Sequence, residues 1–212
     1  MKIEIWSDYA CPFCYLGDRK LALALNDFEH KSEVEISYKS FQLDVNATSH
    51  PGVDVSTLIS QKYGIGYEQA RASNDKIVKA AYAIGLEYDF DNLKPNNTAL
   101  AHQVAKYAAS LGKEAPLVQR LFKAYFEQGY DLGIKENLLK LAGEVDLDAM
   151  ELSGVLDAGT FAKEVHNDQE AAAKLGIRGV PYFVFDGKYA VSGAQDVDYF
   201  KKVLEEVHLD KA

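Results

Sequence analysis

The sequence predicts a mixed α/β fold: a small sheet covered by helices and interrupted by an all-helical insertion of about 110 residues. Three observations predict it. The chain opens as strand, helix, strand; it closes as helix, strand, tight turn, strand, helix; and between these ends no segment alternates convincingly as a strand.

Residues 2–6, KIEIW, are a short alternating, β-branched strand that ends in the polar corner Ser7-Asp8. From Pro12 the apolar residues Leu16, Leu21, Ala24, Leu25 and Phe28 recur at helical spacing, with the helix fraying near His30. Proline suits a first helical position, where its missing N–H has no intrahelical partner to lose. Residues 33–41, EVEISYKSF, form the next strand, and a helical crossover between two strands implies parallel pairing. After the turn-rich loop 42–54, helices are predicted at 55–63, 67–84, 97–111, 115–128, 135–145 and 147–156. Residues 160–176 read as a helix ending at Gly176. The strand PYFVF, the Asp186-Gly187 turn, the strand KYAVSG and an amphipathic helix from Asp196 to about Val207 complete the chain. Asp-Gly between two strands is a strong hairpin signal, because both central residues of a type I′ turn need positive φ.

Twenty-three Lys and Arg stand against 32 Asp and Glu, a formal net charge of −9. That balance repels phosphate backbones and anionic lipid surfaces, so neither nucleic acid nor membrane is an expected partner. No window approaches the roughly 18 apolar residues of a membrane span, and Met1 runs into KIEIW without the regions of a signal peptide. A cytoplasmic location is the expectation.

Both cysteines fall in SDYACPFCYLG, residues 7–17. A structural zinc site needs four ligands, and there is neither a second cysteine pair nor a pair of histidines at zinc-finger spacing among the five. A four-residue disulfide loop would constrain the unfolded chain by only about 2 kcal/mol, which a chain of this length hardly needs. The redox reading has a positive case. Positions i and i+3 at the start of a helix share a face, so the sulfurs can meet without backbone distortion. Cys11 sits where free N–H groups and the macrodipole favour a thiolate, while Cys14, one turn inside, is more buried and less acidic. Cys11 is therefore the attacking thiol and Cys14 the resolving one. The second element is GVPYF, residues 179–183. A cis Val180-Pro181 bond there would expose the Val180 backbone for pairing with an extended peptide.

SDYACPFCYLG, the helical insertion and GIRGVPYFVFDGKYAVSGAQ together resemble the thioredoxin superfamily, and specifically DsbA-like oxidoreductases of the FrnE type, along with FQLD at 41–44, NNTALAH at 96–102 and LFKAYFEQGYDL at 121–132. The resemblance implies a thioredoxin fold interrupted by an all-helical insertion domain: a discontinuous thioredoxin-like domain of residues 1–45 and 158–212, and an insertion of residues 46–157. It implies a thiol–disulfide oxidoreductase with Cys11 and Cys14 as the redox pair and Pro181 as the cis proline facing them. Pro12, Phe13, Val180 and His102 would contact substrate. By helical angle His102 lies away from the apolar face of Leu100, Val104, Ala108 and Leu111, which makes it a surface residue, although its stretch lines the groove over the active site in relatives. Thioredoxin-like proteins also place a buried acid beneath the buried cysteine; Glu4 is either that proton shuttle or an ordinary outward-facing acid on its alternating strand, and Asp8 is a turn residue whose charge would oppose the Cys11 thiolate if close. Tyr9, Phe13, Tyr15, Phe41 and Tyr182 belong to segments converging on the pair, and those left exposed would make an apolar rim.

The DsbA prototype has His where this chain has Phe13, which implies a less stabilised Cys11 thiolate and a less oxidising couple. There is no further cysteine pair to relay electrons. Protein, peptide and small-molecule thiols and disulfides are the expected partners, with reduction or isomerisation favoured over bulk oxidation. No metal or organic cofactor is required, and glutathione is a candidate electron partner. Two other functions fit the same architecture: a glutathione-dependent transferase or isomerase of the kappa-class or 2-hydroxychromene-2-carboxylate isomerase type, and a non-catalytic, redox-dependent binding module.

Overall fold

The protein is described as a computed structural model covering residues 1–50 and 52–210. Strand β1 (Lys2–Ser7) leads through the corner at 8–11 into helix α1 (Pro12–Asn26). A single 3-10 turn at Lys31–Glu33 then precedes strand β2 (Glu35–Ser40), which is why this strand starts later than its alternation suggests. Six helices follow: α2 (Val55–Tyr63), α3 (Tyr67–Tyr82), α4 (Ala99–Ser110), α5 (Glu114–Gln128), α6 (Lys135–Gly143) and α7 (Ala149–Asp157). Two of their starts are set by aspartates: Asp54 accepts from the Thr57 N–H, and Asp148 from those of Met150 and Glu151. Helix α8 (Ala162–Lys174), strands β3 (Tyr182–Phe185) and β4 (Tyr189–Ser192), and helix α9 (Val197–Leu209) end the fold. Asp186 and Gly187 have φ of 51° and 68°, as the hairpin turn requires.

The sheet order is β2-β1-β3-β4, with β1 parallel to β2 and the other pairs antiparallel. Strand parity then decides what lies on each face. Ile3, Ile5, Phe183, Phe185 and Val191 point into the main core, which also holds Cys11, Cys14 and Leu21 of the first crossover and Phe200 and Leu204 of α9. Trp6 points the other way, onto Ala172 and Ile177 at α8. Glu4 shares the parity of Trp6. It ion-pairs with Lys2 and Lys39, each at 3.4 Å, on the side away from the cysteines. The expected proton shuttle is therefore on the wrong face of the sheet.

Helix α4 packs on α5, α6 and α7 and, on its opposite side, on α8. Lys106 reaches across that second side to Asp168 at 2.5 Å and to the Tyr38 carbonyl at 2.9 Å. Asp168 also accepts from the Ser40 N–H at 2.9 Å, so one carboxylate joins α4, α8 and β2. His102 consequently is not a surface residue. It is 3 % exposed, because both sides of its helix are covered.

Candidate active site

The cysteine corner is built by local hydrogen bonds. The Cys11 N–H donates to the Asp8 carbonyl at 3.1 Å, and Cys11 is the residue from which α1 departs, with Pro12 at the first helical position. The Cys14 N–H donates to the Cys11 carbonyl at 3.0 Å. The cysteines are free and 3.5 Å apart, with their side chains hydrogen-bonded. Tyr88 caps the turn from outside the sheet, its hydroxyl donating to the Pro12 carbonyl at 2.7 Å, and its ring stacks on Tyr15.

Gly17 sets how close α1 comes to the proline loop. A Cβ there would lie 3.0 Å from Pro181 Cγ and 3.1 Å from Phe183 Cζ. With hydrogen in that place the helix settles onto the loop, the Val180-Pro181 bond is cis, and Cys11 Sγ lies 3.6 Å from the Val180 carbonyl oxygen, which accepts its S–H. Cys11, Pro12, Cys14, Val180 and Pro181 are thus assembled, and Phe13 projects 48 % exposed beside them. Tyr9 and Tyr15 are core residues, and Phe41 and Tyr182 pack partly buried on the α8 side of the sheet. Of the expected apolar rim Phe13 remains exposed, and Leu43, which the sequence reading did not single out, is equally exposed beside Asp8.

The two thiols differ as their positions require. The Cys14 side chain and the Cys14 and Phe13 N–H groups hold the Cys11 thiol below its ordinary value, against burial and the nearby Asp8 charge. Burial, followed by the Cys11 side chain and its charge, pushes Cys14 well up, although the Ser7 side chain and the Asp8 N–H, 3.4 Å from Cys14 Sγ, act in the other direction. Exposure follows the same order but narrowly: Cys11 is 4 % exposed and Cys14 1 %. Cys11 Sγ is thus not an open sulfur; it lies against the Val180 carbonyl, with exposed Phe13 two residues on.

The buried acid of the site is Asp8, a turn residue by sequence whose burial no local pattern reveals. It is 2 % exposed and accepts from the Leu43 N–H and the Thr98 hydroxyl, each at 2.8 Å, and from the Ala10 N–H at 3.3 Å. His102 Nε2 lies 3.5 Å from the same carboxylate, an ion-pair separation without hydrogen-bond alignment, and the ring packs on Tyr9. Burial alone would raise the Asp8 carboxyl, but His102, Leu43 and Thr98 together hold it below the ordinary range. His102 thus connects to the cysteine corner through Asp8, whose N–H lies 3.4 Å from Cys14 Sγ. Thr98 and His102 both lie in NNTALAH, so that stretch carried the signal for this site without revealing its partner.

The fold and cysteine corner can now be set beside known proteins. A probable DsbA oxidoreductase from Streptomyces coelicolor superposes with a TM-score of 0.91 at 36% identity, covering 98% of this chain and 89% of that one. At the level of fold alone, a 2-hydroxychromene-2-carboxylate isomerase matches with a TM-score of 0.73 at 14% identity, over 100% of this chain and 98% of the other. The cytosolic disulfide reductase DsbM of Pseudomonas aeruginosa matches at 0.68 and 17% identity over 100% of both chains, and its structure with GSH at 0.67 and 15% over 97% of this chain and 98% of that one. The family described as the DSBA-like thioredoxin domain matches residues 2–205, and this chain belongs to it.

Proposed function

We propose that the chain is a thiol–disulfide oxidoreductase working through Cys11 and Cys14. The observation that carries this is the asymmetry of two adjoining thiols at a helix start, the outer one made acidic and the inner one not. The Cys11 thiolate attacks a substrate disulfide, forming a mixed disulfide and expelling one substrate thiolate, which takes up a proton. Cys14 then loses its proton and attacks Cys11 Sγ. A Cys11–Cys14 disulfide forms, and the second substrate sulfur leaves and is protonated. Two electrons pass from the dithiol to the substrate. The order of events has a physical cause. While Cys11 is a thiolate its charge and hydrogen bond keep Cys14 protonated, and consuming that thiolate removes both.

The Val180 carbonyl, in line with Cys11 Sγ, is the backbone group on which an extended peptide would register, with Phe13 and Leu43 as apolar contacts. Reduction or isomerisation in a reducing, cytoplasmic setting is the favoured direction. Phe13 supplies no cation to the Cys11 thiolate, and the Asp8 charge opposes it, so the dithiol is not strongly stabilised over the disulfide. Two glutathione thiols suffice to reduce the enzyme again, and no other cofactor enters the balance. The glutathione-bound neighbour supports a small-thiol partner at this fold.

A Cys14→Ser variant incubated with oxidised glutathione or a disulfide-bonded protein will accumulate a mixed disulfide at Cys11 and lose turnover, as read by mass spectrometry and insulin reduction. Full turnover by that variant would indicate transferase or isomerase chemistry instead. Cycling of the wild-type pair without catalysis would indicate a binding module.

A further inference from the structure

We infer that a divalent transition-metal site, fitted to Zn²⁺, lies at the far end of α1 and is formed by His30, Glu33 and His208. The inference is independent of the cysteine chemistry. Helix α1 has 15 residues, so its two ends are roughly 22 Å apart. The cysteines occupy one end, and His30 and Glu33 follow the other. His208, in the last turn of α9, is brought to them by the fold. Its distance along the chain is why no sequence spacing pairs it with His30.

Three features make this more than a chance grouping. The imidazoles of His30 and His208 lie face to face, 3.7 Å between centroids and 16° between planes. Phe28, itself buried, meets both edge-on at 5.7 Å and 5.9 Å and so holds the two rings at the same spot. Glu33 Oε1 is 3.3 Å from His30 Nδ1, and one donor atom from each of the three side chains lies within 4.8 Å of the others.

Tetrahedral zinc with ligands at about 2.0–2.1 Å separates its donors by roughly 3.4 Å. The widest donor separation, at most 4.8 Å, therefore closes by up to about 1.4 Å, and the two imidazoles turn out of their stack so that their in-plane lone pairs converge on one ion, movements within side-chain rotation for two half-buried imidazoles and an exposed carboxylate. Two imidazoles and one carboxylate suit zinc, and not the all-oxygen preference of Ca²⁺ or Mg²⁺. Binding there would tie the segment after α1 to the end of α9.

The test is calorimetric titration of ZnCl₂ into the untagged full chain, both wild type and with Cys11→Ser and Cys14→Ser, which removes thiols as competing ligands. The expected result is one equivalent bound to the double variant, a rise in Tm with Zn²⁺ but not with Ca²⁺ or Mg²⁺, and affinity weakened about tenfold or more by His208→Ala and by Glu33→Gln. Glu33 is exposed, so its substitution tests the site without threatening the fold. Absence of zinc binding to the double variant, or binding unchanged by both substitutions, would overturn the assignment.

Discussion

Asp8 precedes the active helix and Asp18 lies within it, both within 5 % of complete burial, yet their carboxyls are driven in opposite directions. Asp18, on α1, accepts from the Tyr38 hydroxyl at 2.6 Å and from the Gln119 side chain. Burial still prevails there, and its carboxyl is raised. Asp8 suffers the same burial but faces His102, the Thr98 hydroxyl and the Leu43 N–H, and its carboxyl is lowered. Neutral hydrogen bonds soften the cost of burying a carboxylate; a facing imidazole together with backbone and hydroxyl donors reverses it. The charge nearest the thiols is therefore a lasting one, and it works against the Cys11 thiolate.

The largest effect that could break this contrast is removal of Asp8. Asp8→Ala leaves the Leu43 N–H and Thr98 hydroxyl without their acceptor and His102 without its partner. We expect a loss of about 3–5 kcal/mol in denaturant unfolding, on the scale of breaking one side of a buried pair. A loss below about 1 kcal/mol would mean that the corner is not held by this carboxylate. Next is Gly17→Ala. Better helix propensity gains up to about 1 kcal/mol, but the added Cβ meets a proline ring and a fully buried Phe183 that cannot give way. A net cost of about 1–2 kcal/mol should appear in the same measurement.

The contrast is sharpened most by pH. A lowered Asp8 carboxyl contributes stability that is present above its unfolded value and lost as pH falls through the folded one. A raised Asp18 carboxyl contributes stability that is complete below its unfolded value and lost as pH rises through the folded one. The stability of wild type relative to Asp8→Asn should thus grow with rising pH in the acid range, whereas relative to Asp18→Asn it should shrink just above it. Equal slopes would show that the two environments do not differ. Smallest of all is Glu4→Gln: an acid on the face of the sheet away from the cysteines, with partly exposed lysine partners, should change stability by no more than about 0.5 kcal/mol and leave the pH profile of mixed-disulfide resolution unaltered.

The same contrast shows what could be read from residues alone. The strand-helix-strand opening, the Asp186-Gly187 hairpin and the paired cysteines are local signals, since each depends on backbone geometry within a few residues. Asp8 was legible as a turn-former with a charge unfavourable to a nearby thiolate, but not as a buried acid, because the partners that bury it lie at 43, 98 and 102. His102 was misplaced for a related reason. A helical wheel assumes one buried face, but α4 is enclosed by α5, α6 and α7 on one side and α8 on the other. Glu4 fails on parity: the alternation that groups it with Trp6 also puts it on the opposite face from Ile3, Ile5 and the cysteines. Gly17, silent in any pattern, matters only once α1 is laid against Pro181.

The central claim is that Cys11 is the acidic thiol and Cys14 the protected one. The most direct test is alkylation of the reduced wild-type protein across pH, with each cysteine followed separately by mass spectrometry. The account predicts that Cys11 is modified first, with a midpoint below the ordinary thiol value of about 8.5, while Cys14 stays unmodified through and above that value. Modification of Cys14 first, or of both thiols together at the ordinary value, would contradict it.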